Sequence, residues 1–152
     1  MIEKYTNIIK QPRLKILDIL DQFTLDQLNT IPVRFNNNII WNLGHMVATQ
    51  QGICYKRAGL STRVSETFFE TYKPDTKPVG PANQQQFAEI KELMISTLEQ
   101  FEKDYNANLF GNYPTWTTRY GVEITSIDDA IAFLPFHEGL HVGYIMAMRK
   151  LV

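Results

Sequence analysis

Three histidines, His45, His137 and His141, are all that the 152 residues contain, and none lies in a polar loop. His137 and His141 stand four apart in Phe136-His137-Glu138-Gly139-Leu140-His141, a spacing that on a helix aims both rings from one face toward a common point. His45 lies in Trp41-Asn42-Leu43-Gly44-His45-Met46, a segment too apolar for a solvent-facing helix. A neutral imidazole must place one donor and one acceptor, so three of them in buried segments need partners. Either Asp, Thr or water satisfies them as a cluster, or their nitrogens converge on one divalent metal with open coordination positions.

The string from His137 to His141 also reads as H-E-x-x-H, the pattern in which two histidines bind zinc and the glutamate acts as general base. A zinc protease takes its third ligand downstream, yet Val142 to Val152 holds no His, Asp or Glu. The third ligand must come from upstream, where His45 is the only histidine, and the protease reading fails on that ground. Glu138 points about 100° away from His137 on the wheel. It is a candidate base, set against a carboxylate that orients a ligand or faces solvent. Cys54, the single cysteine, is a conceivable nucleophile but reads as core packing. Trp116, Arg119 and Tyr120 either roof the site and hold an anionic substrate or pin a long connection to the fold.

The elements that must position these residues are helical. Leu14, Leu17, Leu20 and Phe23, with Ile16 beside them, give a first amphipathic helix with Pro12 in its first turn. A short turn from Thr24 to Asn29 follows, closed by Ile31-Pro32. Asn36, Asn37 and Asn38 offer caps for a buried helix running to about Arg57 and stopped by Ala58-Gly59. Pro74, Pro78, Gly80 and Pro81 mark a long crossover in which Phe68 and Phe69 form a helical turn. Asn83 with Gln86 opens a third helix striped by Phe87, Ile90, Met94, Leu98, Phe101 and Tyr105. Between Asn106 and Thr125, alternating Trp116, Thr118, Tyr120, Val122 and Ile124 allow a small hairpin. Ser126 with Asp129 caps the last helix, whose stripe is Ile127, Ala130, Leu134, His137, His141, Tyr144 and Met148. That assignment places both histidines on the core-facing side, with a kink at Pro135. The reading is one all-α domain over residues 1–152, a four-helix bundle with long crossover connections.

Bulk composition narrows the partners. Lys and Arg total 15 against 16 Asp and Glu, a net charge of -1 with the signs interspersed, so no basic stripe is available for nucleic acid. The start, Met1-Ile2-Glu3-Lys4-Tyr5, has no apolar leader, and no stretch approaches 18 uninterrupted apolar residues, which argues against a membrane. One cysteine excludes an internal disulfide framework, and a cytoplasmic protein is expected.

The segments Asn38-Ile39-Ile40-Trp41-Asn42-Leu43-Gly44-His45-Met46, Thr117-Thr118-Arg119-Tyr120-Gly121 and His137-Glu138-Gly139-Leu140-His141-Val142-Gly143-Tyr144-Ile145 together resemble the DinB/YfiT-like family of four-helix-bundle metalloenzymes over nearly the whole chain. The resemblance implies that His45, His137 and His141 bind a divalent metal, usually zinc or nickel, with manganese and iron also open. It also implies a dimer, consistent with apolar Ile19, Leu93 and Ile95 beside the helix stripes. This chain has Tyr144 where the family commonly has Gln. A three-histidine cation acidifies a bound water or thiol. Water then gives hydrolase-type attack on an ester or amide, with Glu138 as base; a low-molecular-weight thiol gives transfer of sulfur to a small electrophile. The family's thiol-dependent transferases and isomerase favour the second. The competing class is a non-catalytic metal-binding or stress-related structural protein.

Overall fold

Side-chain caps set where most of the helices begin. The computed structural model describes residues 2–152. Helix α1 spans Ile2–Leu20, and a short α2, Leu25–Asn29, starts at a capping box between Thr24 and Gln27. Asn38 opens α3, Ile39–Gln51, by accepting from the Trp41 amide, and α3 continues as one π-helical turn, Gly52–Lys56. Ser65 caps the short α4, Glu66–Tyr72. The box between Asn83 and Gln86 opens α5, Gln84–Asn106. Strands β1, Trp116–Thr117, and β2, Glu123–Ile124, pair antiparallel, Trp116 opposite Ile124, as the alternation predicts. Ser126 caps α6, Ile127–Met148, through the Asp129 amide. The Asp129 carboxylate turns outward to Thr125, so the reciprocal half of a capping box is absent there.

The four long helices form the bundle. Helix α1 packs on α5 and α6, and α3 packs on the same two, so α1 and α3 occupy one diagonal. Every residue of α3 is buried, because α2 and α4 cover the sides that the long helices leave open. Gly44 is where α4 comes closest: a Cβ there would lie 2.5 Å from Cδ1 of Tyr72. Of the helices described, none is long and apolar enough to cross a membrane.

Two helices differ from their sequence expectation for one reason. Helix α1 begins ten residues before Pro12, and its buried stripe is Ile2, Thr6, Ile9, Arg13, Ile16 and Leu20. Steps of four and three make this a regular bundle seam, but Thr6 and Arg13 hide it from a hydrophobic pattern, and Leu14 lies exposed. Helix α6 runs unbroken through Pro135, and its buried positions are Ala130, Ile131, Leu134, Glu138, Ile145 and Met148. His137 and His141 are half-buried and Tyr144 is exposed, so the stripe is rotated and the histidines flank the core rather than enter it. Ile19, Leu93 and Ile95 are half-buried within the fold.

Arg13 and Glu138 explain both shifts. The two lie in the bundle interior, 0% and 5% exposed at their side chains, joined by Nε to Oε2 at 3.0 Å and Nη2 to Oε1 at 2.6 Å. Arg13 also donates to the Met94 carbonyl of α5 at 2.7 Å and, at 3.4 Å, to that of Met46 in α3. The pair separates two apolar clusters, one containing Ile16, Met46, Met94 and Ile145, the other Ile9, Leu98 and Leu134. Removing one member strands a buried charge, whereas removing both leaves an apolar layer. Arg13→Met should therefore destabilise the fold by about 3–5 kcal/mol, and Arg13→Met with Glu138→Leu should recover most of that loss. Urea unfolding of the two single variants and the double variant checks it; additive losses would contradict the assignment.

Candidate metal centre

The three histidines meet at the floor of a cleft of about 1090 Å³ between α3, α6, the hairpin and the turns flanking α2 and α4. Their ring centroids lie 4.5 Å (His137 to His141), 4.6 Å (His45 to His141) and 5.3 Å (His45 to His137) apart. One nitrogen from each falls within 4.8 Å of the others. Metal–nitrogen bonds of about 2.1 Å place such nitrogens roughly 3.4 Å apart in a tetrahedral site, so small ring rotations close the set.

Two of the rings have their tautomers fixed by their surroundings. Nδ1 of His45 lies 2.8 Å from the Tyr72 carbonyl, which can only accept, so Nδ1 carries the proton and Nε2 keeps a lone pair. Nε2 meets the Thr49 hydroxyl at 3.2 Å, and Trp41 stacks on the ring at 4.6 Å. Nδ1 of His141 lies 2.8 Å from Oδ1 of Asn42. The Asn42 amide cannot be reversed, because its nitrogen donates to Oδ1 of Asn37 at 2.9 Å and the Asn38 carbonyl at 2.8 Å. His141 therefore also offers Nε2. Nδ1 of His137 is buried with no hydrogen-bond partner. A buried nitrogen without a partner is costly, and a cation among three imidazoles is the species that this donor set suits.

Electrostatics keep the cluster neutral. Burial, followed by repulsion from the other two rings, pushes His137 down to about 2. Burial and then His45 push His141 down to about 4, and burial chiefly lowers His45. Neutral imidazoles are the metal-binding form.

The other residues singled out by the sequence fall elsewhere. Glu138 does not reach the cleft, and both its oxygens are held by Arg13, so the structure separates this candidate base from the histidines. Cys54 is buried against the apolar cluster of Ile53, Leu98 and Phe101, which pushes its thiol up. Trp116 both lines the cleft and anchors the hairpin: its indole donates to the Tyr113 hydroxyl, which donates to the Ile53 carbonyl. Arg119, Tyr120 and Tyr144 line the cleft and remain exposed. Asn42 and Thr49 were not singled out from the sequence. Their trace is two polar residues placed three before and four after His45 in a helix that is apolar over most of its first ten residues.

A model of the DinB superfamily matches residues 9–145, most of the chain. The chain belongs to the DinB superfamily. A search of curated proteins found no match. Among solved structures the fold is similar to YfiT from Bacillus subtilis, 16% identical, with a TM-score of 0.54 over 98% of this chain and 86% of that one. That structure is described as a probable metal-dependent hydrolase with an unusual four-helix bundle topology. At this identity the likeness supports the superfamily fold, and the histidine cluster rests on the geometry above.

The lowered histidines predict an acid-sensitive apo protein. An unfolded histidine takes a proton near its ordinary 6.5, while folded His141 refuses one down to about 4 and His137 to about 2. Within that window the unfolded state binds more protons, so stability falls as pH falls. Thermal melts of chelator-treated protein should drop steadily from pH 6.5 toward 4, and His137→Gln with His141→Gln should flatten the slope; an unchanged slope would contradict the assignment.

Proposed function

We propose that this DinB superfamily member is a metal-dependent enzyme that transfers a thiol sulfur to a small-molecule electrophile. The observation that carries the reading is three neutral imidazoles converging in one cleft. Its membership of the superfamily and the metal-dependent description of YfiT support the same class of chemistry. A divalent cation on these nitrogens would supply charge that acidifies a bound thiol or water. Zinc and nickel suit an imidazole set best, with iron and manganese as alternatives.

The cleft favours thiol transfer over hydrolysis by what it lacks at its floor. Among the described residues lining it the only carboxylate is Asp75, and Asp75 lies 3.8 Å from Arg119. With Glu138 held by Arg13, no carboxylate stands ready to take a proton from water. A free thiol, with its ordinary pKa of about 8.5, is already far more acidic than water. A divalent cation held by the three histidines would acidify it further, so it would depend less on a base than water would. Its sulfur lone pair then forms the new bond to the electrophilic carbon, and the leaving group departs with the bonding pair. The volume of about 1090 Å³ lies at the large end of the roughly 300–1,000 Å³ usual for ligand sites, which suits a reaction that brings a thiol and an electrophile together. Hydrolysis is the second reading, carried by the description of YfiT.

In this reading His45, His137 and His141 hold the cation, Asn42 and the Tyr72 carbonyl orient two of them, and Trp41 walls the site. His141→Ala should lose stoichiometric metal and all turnover of thiol–electrophile pairs while keeping its helical circular dichroism. Asn42→Leu should retain the fold but bind zinc about 10–100-fold more weakly, since an outer partner fixes the ring without touching the metal. Elemental analysis and competition with a chromogenic chelator read both; His141→Ala protein that keeps metal and activity would place the site elsewhere.

A further inference from the structure

The mouth of the cleft carries a charge imbalance that the rest of the molecule does not share. Four of the chain's 15 Lys and Arg, namely Arg34, Lys56, Arg57 and Arg119, line it, against one of the 16 Asp and Glu. Two of the four are engaged within the fold. Lys56 pairs with Glu66 at 2.9 Å and lies 4.1 Å over the Phe69 ring, and Arg57 lies 3.9 Å over the Trp116 ring. Arg119 stands at the tip of the hairpin turn closed by the Gly121 amide on the Thr118 carbonyl, 66% exposed, with a long 3.8 Å approach to Asp75.

Arg34 adds an independent observation. It occupies the third position of the turn in which the Phe35 amide meets the Pro32 carbonyl, with φ of 72°. That position favours glycine or asparagine, and a residue with a Cβ and a long cationic chain is strained there. Arg34 is exposed and makes no ion pair among the described residues, so nothing in the fold rewards an arginine at this place. Of the three non-glycine residues with positive φ, two, Arg34 and Asp75, line this cleft. Strained backbone of this kind gathers at ligand clamps.

We infer that the cleft takes an anionic small molecule, bearing a carboxylate or a phosphoryl group, whose charged end is clamped at the rim by Arg34 and Arg119 while its other end reaches the histidines. The inference names the substrate class for the site proposed above and rests on that site for the reacting end alone; the clamp is a property of the arginines. Guanidinium forks suit both anions, and the aromatic walls formed by Phe35, Trp41 and Trp116 suit an apolar or ring-bearing stem.

The test is a titration of chelator-treated protein, followed by nuclear magnetic resonance, with benzoate, phenylphosphonate and the neutral benzamide. Both anions should bind and benzamide should bind at least about tenfold more weakly, with affinity falling as salt rises. Arg34→Gly with Arg119→Gln should weaken anion binding by about tenfold, while Lys4→Gln with Lys15→Gln, the same change of charge on α1, should leave it unaltered. Arg34→Gly alone should bind anions more weakly without lowering the melting temperature, since glycine suits the turn; a purely structural arginine would not separate the two readouts. Tighter benzoate supports a carboxylate ligand, and tighter phenylphosphonate supports a phosphoryl one. Equal binding of benzamide, or anion binding that appears only with zinc and survives the double arginine substitution, would overturn the clamp. Anion binding by a protein that takes up no metal would instead overturn the metal reading and leave the clamp standing.

Discussion

One side chain touches all four long helices. Arg13 belongs to α1, donates to main-chain carbonyls of α3 and α5, and is locked to Glu138 of α6. Two of its three partners are the neighbours in sequence of candidate ligands: Met46 follows His45, and Glu138 follows His137. A buried guanidinium tolerates little error, because every unmet donor costs free energy in a low-dielectric interior. The helix register that satisfies Arg13 is therefore the register that sets the two histidine-bearing helices against each other. An apolar layer could fill the same space with as much stability, but it would lack the directional bonds that tie Arg13 to one position on α6.

The same contact explains how legible the molecule was. Caps at Asn38, Asn83 and Ser126, the hairpin alternation and the i, i+4 histidine pair are local signals, and local signals survive in a sequence. The bundle and the convergence of His45 with His137 and His141 followed from them. What was hidden lies where polar residues occupy buried positions. Thr6 and Arg13 interrupt the α1 stripe, so hydrophobic periodicity placed the helix start at Pro12 and counted Leu14 as core. Glu138 was weighed as a base because H-E-x-x-H carries that role elsewhere, and its partner stands 125 positions away in the chain. No window of sequence connects those two residues. Of the four cations of the cleft rim only Arg119 was legible, beside Trp116 and Tyr120; Arg34, Lys56 and Arg57 join it only in three dimensions.

Orientation of the histidines is divided between backbone and side chain. Tyr72 offers a carbonyl, and the position of that carbonyl depends on α4 lying close enough for its ring to press on the bare Cα of Gly44. Asn42 offers an amide whose own direction is fixed by Asn37 and by the Asn38 carbonyl at the start of α3. Asn38 thus serves twice, its side chain opening the helix and its carbonyl aligning the group that aligns His141. Only His137 lacks such a partner, and it is the ring whose neighbour along the chain is held most firmly. Two rings are oriented through their own nitrogens and the third through the helix that bears it.

Floor and rim obey different physics. The floor is made from helix interiors, where packing and buried hydrogen bonds leave one arrangement and where any change of residue disturbs the fold. The rim is made from the Pro32–Phe35 turn, the chain near Asp75 and the hairpin tip, whose charged side chains contribute little to stability. Arginines at such places can be replaced without disturbing the bundle, so the nature of the bound molecule can change while the three imidazoles stay where they are. A strained turn that nevertheless carries an arginine is what remains when the rim has been set for one kind of ligand: the cost of the backbone falls on a loop that the core does not need, and the gain appears only when an anion fills the cleft.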